Sequence, residues 1–335
     1  MLQKKHRGRI IGAVVSVAIS LTIILGAGWL FLNRQFVADQ VTVWSFQPSA
    51  AVESIEQRIK LTDEGRFYFY VTQPVVAGAD SFNVDCPRQE PESPILGCFT
   101  MGKMFIFDIK NSELDGIKEV TAAHEMLHAV WERMSEPEQA RLSALLRTAY
   151  EQNTNDELAS RMAYYERTQP GDFFNELHSI LPTEFATLSP ELEDHYAAFF
   201  QDRQLIVLLN EQYSSVFNSI VDQINGLYDE ITTLGANIES DRSVYNDRVN
   251  SLDGAIANFN RRADSGNFTT IGQFNNERAS LVNQTTNLEV FGSQISANID
   301  RYNTLLAQYE AVALRLESLN RSIDSIADLQ QAPSL

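Results

Sequence analysis

Two histidines and a glutamate are spaced so that they could bind a metal ion and use it. His124, Glu125 and His128 form the pattern His-Glu-x-x-His within the apolar stretch 120–134. Residues four apart share one face of a helix, so the two imidazoles can bind the same Zn²⁺. Glu125 lies next to the first histidine, where its carboxylate can take a proton from a zinc-bound water whose pKa the metal has lowered. The spacing predicts a Zn²⁺ cofactor with His124 and His128 as ligands and Glu125 as the catalytic base.

These histidines could instead have a structural role, as a hydrogen-bonded pair in the core. An apolar stripe would bury one face of this helix, and histidines at that depth need partners. The stripe consists of Val120, Ala123, Leu127, Val130 and Met134. A metal ion is such a partner, and the helical setting of the pattern favours the metal-binding interpretation.

The pattern resembles the zincin metallopeptidases, whose active-site helix carries His-Glu-x-x-His. The glycine and third histidine that follow in metzincins are absent, because residues 129–133 read Ala-Val-Trp-Glu-Arg. The resemblance therefore points to the gluzincin branch, in which a downstream helix supplies a glutamate ligand. Residues 175–179, Asn-Glu-Leu-His-Ser, are similar to the start of the NExxSD signature of thermolysin-like enzymes, which implies Glu176 as the third zinc ligand. The sequence departs from that signature at Ile180, which replaces the aspartate, and in the longer separation of Glu176 from His128.

Other residues downstream of the pattern are alternatives for these roles. His178 and Glu184 could each be the third ligand in place of Glu176, although the apolar neighbours of Glu176 make an unpaired carboxylate there costly. His178 and His195 could instead stabilise an oxyanion, and Tyr164 and Tyr165 are further candidates for that role.

An α+β fold, mostly helical with a small sheet, is predicted to position these residues over 50–203. Helical spacing is found over 52–61, and the aromatic run within 66–76 predicts a strand. A second strand is predicted over 104–109, and by the zincin resemblance it would be the edge strand that pairs with an extended substrate. Helices are predicted over 115–134 and 172–181, and one more from Ser189 without a break into the last third of the chain.

Charge and cysteine content restrict the partners and the compartment. The net charge is −18, and no basic face that could bind nucleic acid follows the first forty residues. The two cysteines, Cys86 and Cys98, flank a short Pro-rich segment, so a disulfide is predicted rather than a metal site.

The first residues predict a membrane anchor. Residues 10–32 carry no charge and are long enough to span a bilayer as a helix. The basic segment 1–9 precedes them, so it should stay in the cytoplasm while the remainder is translocated. A cleavable signal peptide is the alternative, although no small-x-small cleavage site follows Leu32. We therefore expect a single-pass protein of the cell membrane with its catalytic domain outside the cytoplasm.

The last third of the chain, 204–330, has a heptad pattern. Apolar residues recur in steps of three and four over 217–259 and again over 281–326, and the polar stretch 263–270 separates the two runs. Matched runs with a short Gly-containing loop predict an antiparallel coiled-coil hairpin. A helical pair folded onto the core, or parallel dimer arms, would give a similar pattern. A protein partner could dock on such a hairpin.

Together, these features predict a membrane-anchored zinc metallopeptidase that hydrolyses a polypeptide substrate outside the cytoplasmic membrane. The first alternative is a non-catalytic envelope scaffold whose zincin-like domain only binds a partner. The second is a zinc hydrolase that acts on cell-wall amides, because the pattern specifies hydrolysis but not the bond.

Overall fold

The computed structural model describes residues 2–88 and 94–327. The described residues up to Ser214, together with those from Arg321 onward, form one compact unit, which we call the core unit. Ser215–Asn320 form a second, the hairpin unit. The core unit therefore extends past the predicted boundary at residue 203 and includes a segment beyond the hairpin.

Helices dominate both units. The helices are α1 (Leu2–Leu32), α2 (Arg34–Ser45), α3 (Ala50–Ile59), α4 (Asp63–Val71), α5 (Ala79–Asp85), α6 (Ile117–Arg133), α7 (Glu136–Asn153), α8 (Asp156–Thr168), α9 (Phe173–Glu184), α10 (Pro190–Tyr196), α11 (Gln204–Asp264) and α12 (Ile271–Ile323). The strands are β1 (Val75–Ala77), β2 (Gly97–Thr100) and β3 (Lys103–Phe107). The prediction of a mostly helical fold with a small sheet is confirmed.

β3 lies in the middle of the sheet. β1 pairs with it in parallel and β2 pairs with it antiparallel. A two-residue turn, Met101 and Gly102, joins β2 to β3, and both residues have the positive φ that such a turn needs. The predicted strand 104–109 is therefore present as β3, but both of its edges are paired. The prediction that it is the edge strand is wrong, because β2 is the edge strand beside it.

The aromatic run at Arg66 forms a helix, so the strand predicted over 66–76 is wrong for most of its length. Thr62 caps α4, because its side chain accepts a hydrogen bond from the Gly65 amide at 3.0 Å. Aromatic partners surround the helix on several sides, including Phe36 against Phe67 and Phe199 against Tyr68. Packing of this kind overrides the strand propensity of the run.

Pro182 lies inside α9, although the helix was predicted over 172–181 and should have ended before this proline. A proline cannot donate to the carbonyl four residues before it, which here is the carbonyl of His178. The Tyr196 hydroxyl donates to that carbonyl at 3.0 Å and replaces the missing hydrogen bond. The helix therefore continues to Glu184.

The helix predicted to run from Ser189 into the last third of the chain is broken between α10 and α11. The intervening residues form a bridge with the end of α3, in which the Thr62 amide donates to the Phe199 carbonyl and the Gln201 amide donates to the Lys60 carbonyl, each at 3.0 Å. Buried Arg203 then donates to the carbonyl groups of residues 182, 185 and 186. These bonds hold the chain in a non-helical conformation before Gln204.

α6 is the central helix of the core unit, and twelve of its 17 residues are buried. It packs against α3, α4, α9, β2 and β3. An ion pair fixes each end to an earlier helix: Arg58 binds Glu119 at 2.8 Å, and Asp39 binds Arg133 at 2.9 Å.

The predicted disulfide between Cys86 and Cys98 is present, with 5.9 Å between the Cα atoms. It joins the end of α5 to the edge strand β2. Residues after α12 dock beside it: Ser325 is fully buried and exchanges two hydrogen bonds with Asn83, and Asp324 binds Arg88 at 2.6 Å.

The hairpin unit is an antiparallel pair of helices, as the heptad pattern predicted. Tyr302 packs against Gly235, and Tyr245 packs against Gly292. The buried positions all belong to the predicted heptads: Ile220, Ile238, Leu252, Phe259, Ile295, Leu305 and Leu319. An aromatic cluster of Phe259, Phe268 and Phe274 lies at the loop between the two helices.

Within the described residues, α1 is the one helix long and apolar enough to cross a membrane, over Val15–Leu32. A signal sequence near the N-terminus would meet the same criterion.

Loss of the ion pair between α2 and α6 should destabilise the core unit. Asp39→Ala leaves the Arg133 guanidinium, whose side chain is 13% exposed, without its carboxylate partner. We expect a loss of about 3 kcal/mol in the free energy of unfolding, measured by denaturant titration in detergent. Lys118→Ala is the control, because it removes a more exposed pair with Asp108 and should cost less than about 1 kcal/mol. Equal losses in the two variants would contradict a structural role for the Asp39 pair.

Candidate metal centre

Two packed helices bring three potential metal ligands together. His124 and His128 project from α6, and Glu176 projects from the first turn of α9. The ligand atoms of all three lie within 4.8 Å of one another. The two histidine Nε2 atoms are 3.2 Å apart, and the Glu176 carboxylate oxygens are 3.6 Å from Nε2 of His124 and 3.9 Å from Nε2 of His128.

These distances suit a single bound cation. Ligands at 2.0–2.2 Å from a tetrahedral metal lie about 3.3–3.6 Å apart. Oε2 of Glu176 is also buried and has no hydrogen-bond partner among the described residues. A buried, unpartnered carboxylate oxygen beside two imidazoles is a costly arrangement unless a cation neutralises it. The group could therefore hold a metal ion.

The histidines present the protonation state that a metal needs. Nδ1 of His128 lies 2.9 Å from Oδ1 of Asn175, so the ring donates from Nδ1 and leaves the Nε2 lone pair free. Burial lowers the pKa of His128 and lowers the pKa of His124 to about 4. Both imidazoles are consequently neutral at pH 7.

Glu125 is buried beside this group. Burial, and secondly the Glu176 carboxylate, raise the pKa of Glu125 well above its ordinary value, while the Phe99 backbone N–H partly opposes the shift. Burial likewise raises the pKa of Glu176. Two neighbouring carboxylates with raised pKa values form an electrostatic environment in which a cation would bind favourably.

The edge strand β2 packs tightly against the helix that carries Glu125. A Cβ atom on Gly97 would lie 2.5 Å from Cγ2 of Thr121 and 3.0 Å from Oε1 of Glu125. Only a glycine allows this approach without displacing one of the two side chains. Gly97 therefore fixes how close β2 comes to the candidate site, a role that no sequence pattern indicated.

A cleft of about 1250 Å³ contains these residues. α6 and α9 form its floor. β2 and the residues Pro87, Pro94 and Leu96, which lie near the disulfide in the sequence, form one wall, and α8 forms another. Tyr165 lines the α8 wall, and its side chain partly opposes the rise that burial causes in the pKa of Glu176. Burial raises the pKa of Tyr165 well above its ordinary value, so this phenol stays protonated.

The alternative ligands have other partners. Glu184 binds Arg161 through both carboxylate oxygens, at 2.5 and 2.7 Å, and is thereby neutralised. His178 is fully buried, and its Nε2 lies 2.9 Å from Nε2 of His195. Burial lowers the pKa of both, to about 4 for His195, so the pair is neutral and one ring donates to the other.

The prediction that His178 or His195 stabilises an oxyanion is therefore not supported by position, because neither residue lines the cleft. Their rings pack on Trp131 and Phe199 instead. Tyr164 and Tyr165 do line it, together with Arg161, which the sequence did not single out. The one sequence feature that involves Arg161 is its spacing of four from Glu157. A pair with this spacing usually indicates only an exposed helix face.

In comparisons with protein-family models, curated proteins and solved structures, nothing matches this chain.

Removal of the Glu176 carboxylate should weaken metal binding more than any change at the alternative ligands. We expect Glu176→Gln to lower the zinc affinity by at least about 100-fold, measured by competition with a chromophoric chelator. Glu184→Gln and His178→Ala are the controls and should alter the affinity far less, because their side chains contact Arg161 and His195. A greater loss in either control would reassign the third ligand.

A methyl group at Gly97 should disturb the site from the strand side. Gly97→Ala is expected to lower the free energy of unfolding by about 1–3 kcal/mol, because Thr121 and Glu125 must move. Adding Thr121→Ser, which removes the nearest atom, should recover part of the loss. Gly78→Ala is the control, since no atom of the described residues, apart from the chain neighbours of Gly78, lies within 4 Å of that Cβ position. Equal stability of the Gly97 and Gly78 variants in denaturant titrations would refute the packing argument.

Proposed function

We propose that this chain is a membrane-anchored zinc metallopeptidase. The observation that carries the proposal is the convergence of His124, His128 and Glu176 beside a buried Glu125, all in one cleft. Zinc is the metal that best suits two neutral imidazoles and one carboxylate. When bound, it supplies a Lewis acid that polarises a carbonyl group and makes water more acidic.

Glu125 acts as the general base in this proposal. Its carboxylate accepts a proton from the attacking water and returns it to the leaving amine, which requires a pKa near neutrality. Burial moves the pKa of Glu125 in that direction. Tyr165, held protonated at the α8 wall, is positioned to donate a hydrogen bond to the developing oxyanion.

An extended polypeptide is the substrate that the cleft favours. The residues of β2 line the cleft, and one edge of this strand pairs with β3, so its other edge has no strand partner within the described residues. A peptide in extended conformation could add to that edge through backbone hydrogen bonds, which recognise any sequence. This arrangement favours peptide bonds over cell-wall amides as the bonds that are hydrolysed.

The anchor and the disulfide support the proposed location. We assign α1 as a membrane-spanning anchor with the basic segment 1–9 in the cytoplasm and the cleft on the opposite side. The Cys86–Cys98 disulfide accords with an oxidising compartment. The hairpin unit then lies on the same side, where we assign it to a protein partner.

Replacing the base should separate metal binding from catalysis. Glu125→Gln keeps both histidines and Glu176, so the purified protein should retain one equivalent of zinc. Hydrolysis of an unstructured peptide should fall by at least about 100-fold, because an amide cannot accept the proton. Metal content and peptide cleavage are measured on the same preparation.

Glu132→Gln is the matched control, because Glu132 lies one turn beyond His128 at the cleft and contacts none of the three ligands. It should keep both zinc and activity. Zinc binding without cleavage of any peptide by the unmodified protein would instead favour the non-catalytic scaffold.

A further inference from the structure

α2 follows α1, the helix that could span a membrane, with almost no break. Asn33 is the only residue between α1 and α2. Its amide donates to the Trp29 carbonyl at 2.9 Å, and the Val37 amide donates to the Asn33 carbonyl at 3.0 Å. The Asn33 side chain adds a bond to the same Trp29 carbonyl at 2.8 Å. Asn33 therefore ends the hydrogen bonding of α1 and begins that of α2, and a junction of one residue is too short to act as a flexible linker.

α2 is in turn attached to the helix that carries the metal ligands. Asp39 is buried and binds Arg133 through both carboxylate oxygens, at 2.9 and 3.1 Å. Gln35 donates to the same carboxylate at 3.0 Å, and Phe36 packs against Phe67 of α4. Arg133 is the last residue of α6 and follows His128 by little more than one turn. A one-residue junction and a buried ion pair thus connect α1 to the helix of the candidate metal centre.

The residues at the end of α1 mark where a membrane surface would lie. Trp29 and Phe31 are 53% and 70% exposed, and Arg34 follows with its guanidinium 5.9 Å from the Phe31 ring centroid. Exposed aromatic residues followed by a cation are typical of the boundary between hydrocarbon and water.

The distance from this boundary to the site is short. Along α2, Leu32 to Asp39 covers about 10 Å, and along α6, Arg133 to His128 covers about 8 Å, at 1.5 Å per residue. With the reach of the two paired side chains, the metal ligands lie within about 30 Å of the end of α1. This value is an upper limit, because it assumes that all segments are collinear.

We infer that the natural substrates are polypeptides attached to the same membrane and cut at bonds within about 30 Å of its surface. The inference rests on the proposed function and specifies its substrate class. A rigidly mounted cleft cannot reach bonds far above the bilayer, whereas a cleft on a flexible tether could. Anchoring enzyme and substrate in one bilayer also raises their effective concentration at matching heights.

The experiment measures cleavage as a function of height. The full-length protein is reconstituted in liposomes with reporters that carry one transmembrane helix, a helical Glu-Ala-Ala-Ala-Lys spacer and one cassette that the protein cleaves as a free peptide. Spacers place the cassette about 10, 25, 50 and 75 Å above the bilayer. We expect the rate to fall at least tenfold between the 25 Å and 50 Å reporters.

A flexible insertion tests whether the rigid junction causes this profile. About 20 Gly and Ser residues between Asn33 and Arg34 add a mean reach of about 25 Å and leave the contacts of Phe36 and Asp39 with the core unit in place. This variant should cleave the free peptide at the original rate, and its rates on the 25 Å and 50 Å reporters should agree within about twofold. The same insertion between Gly266 and Asn267, in the loop of the hairpin unit, should leave the original profile unchanged.

The outcomes separate the two proposals. Failure to cleave the free peptide would overturn the proposed function itself. Cleavage of the free peptide together with equal rates on all four reporters by the unmodified protein would overturn the height restriction alone. If the fall in rate between the two middle reporters persisted after the insertion at Asn33, the junction would not determine the height of cleavage. This result would also overturn the inference.

Discussion

The burial of four ionisable side chains between α6 and α9 is the constraint on which the core unit depends. His124, Glu125, His128 and Glu176 all lie where water is largely excluded, so each loses the hydration that would stabilise its charge. The histidines respond by staying neutral, and the carboxylates oppose each other. A divalent cation would suit this environment, because it takes neutral imidazoles as ligands and offsets the negative charge of the two carboxylates. Binding of a metal ion at this group would therefore also stabilise the fold of this region.

The elements around α6 restrict its movement from several directions. Ion pairs hold its two ends, at Glu119 and Arg133, to helices that precede it in the chain. Gly97 lets β2 lie against its middle, and Asn175 fixes the orientation of the His128 ring. Such outer contacts hold the side chains of the candidate metal centre in position.

The sequence predicted features that depend on local spacing better than features that depend on partners distant in the chain. The His124 and His128 pairing, the hairpin heptads and the Cys86–Cys98 bridge all follow from short-range patterns. The strand at 66–76 was wrong because its aromatic residues meet partners from α2 and from Phe199. Pro182 failed to end α9 because a tyrosine beyond that helix satisfies the carbonyl it leaves free. The edge strand was misassigned because the turn at Met101 and Gly102 lacks the usual Asn-Gly signal.

The docking of Ser325 against Asn83 has a consequence for the order in which the protein forms. These residues are 242 positions apart, and the whole hairpin unit is synthesised between them. A ribosome delivers the cleft residues long before it delivers Asp324 and Ser325, so the surface at Asn83 and Arg88 stays uncovered while the hairpin emerges. That surface adjoins the disulfide-linked wall of the cleft. The cleft therefore acquires its final support only after the hairpin has been made. A nascent chain stalled within the hairpin would carry the candidate metal centre in an incomplete core.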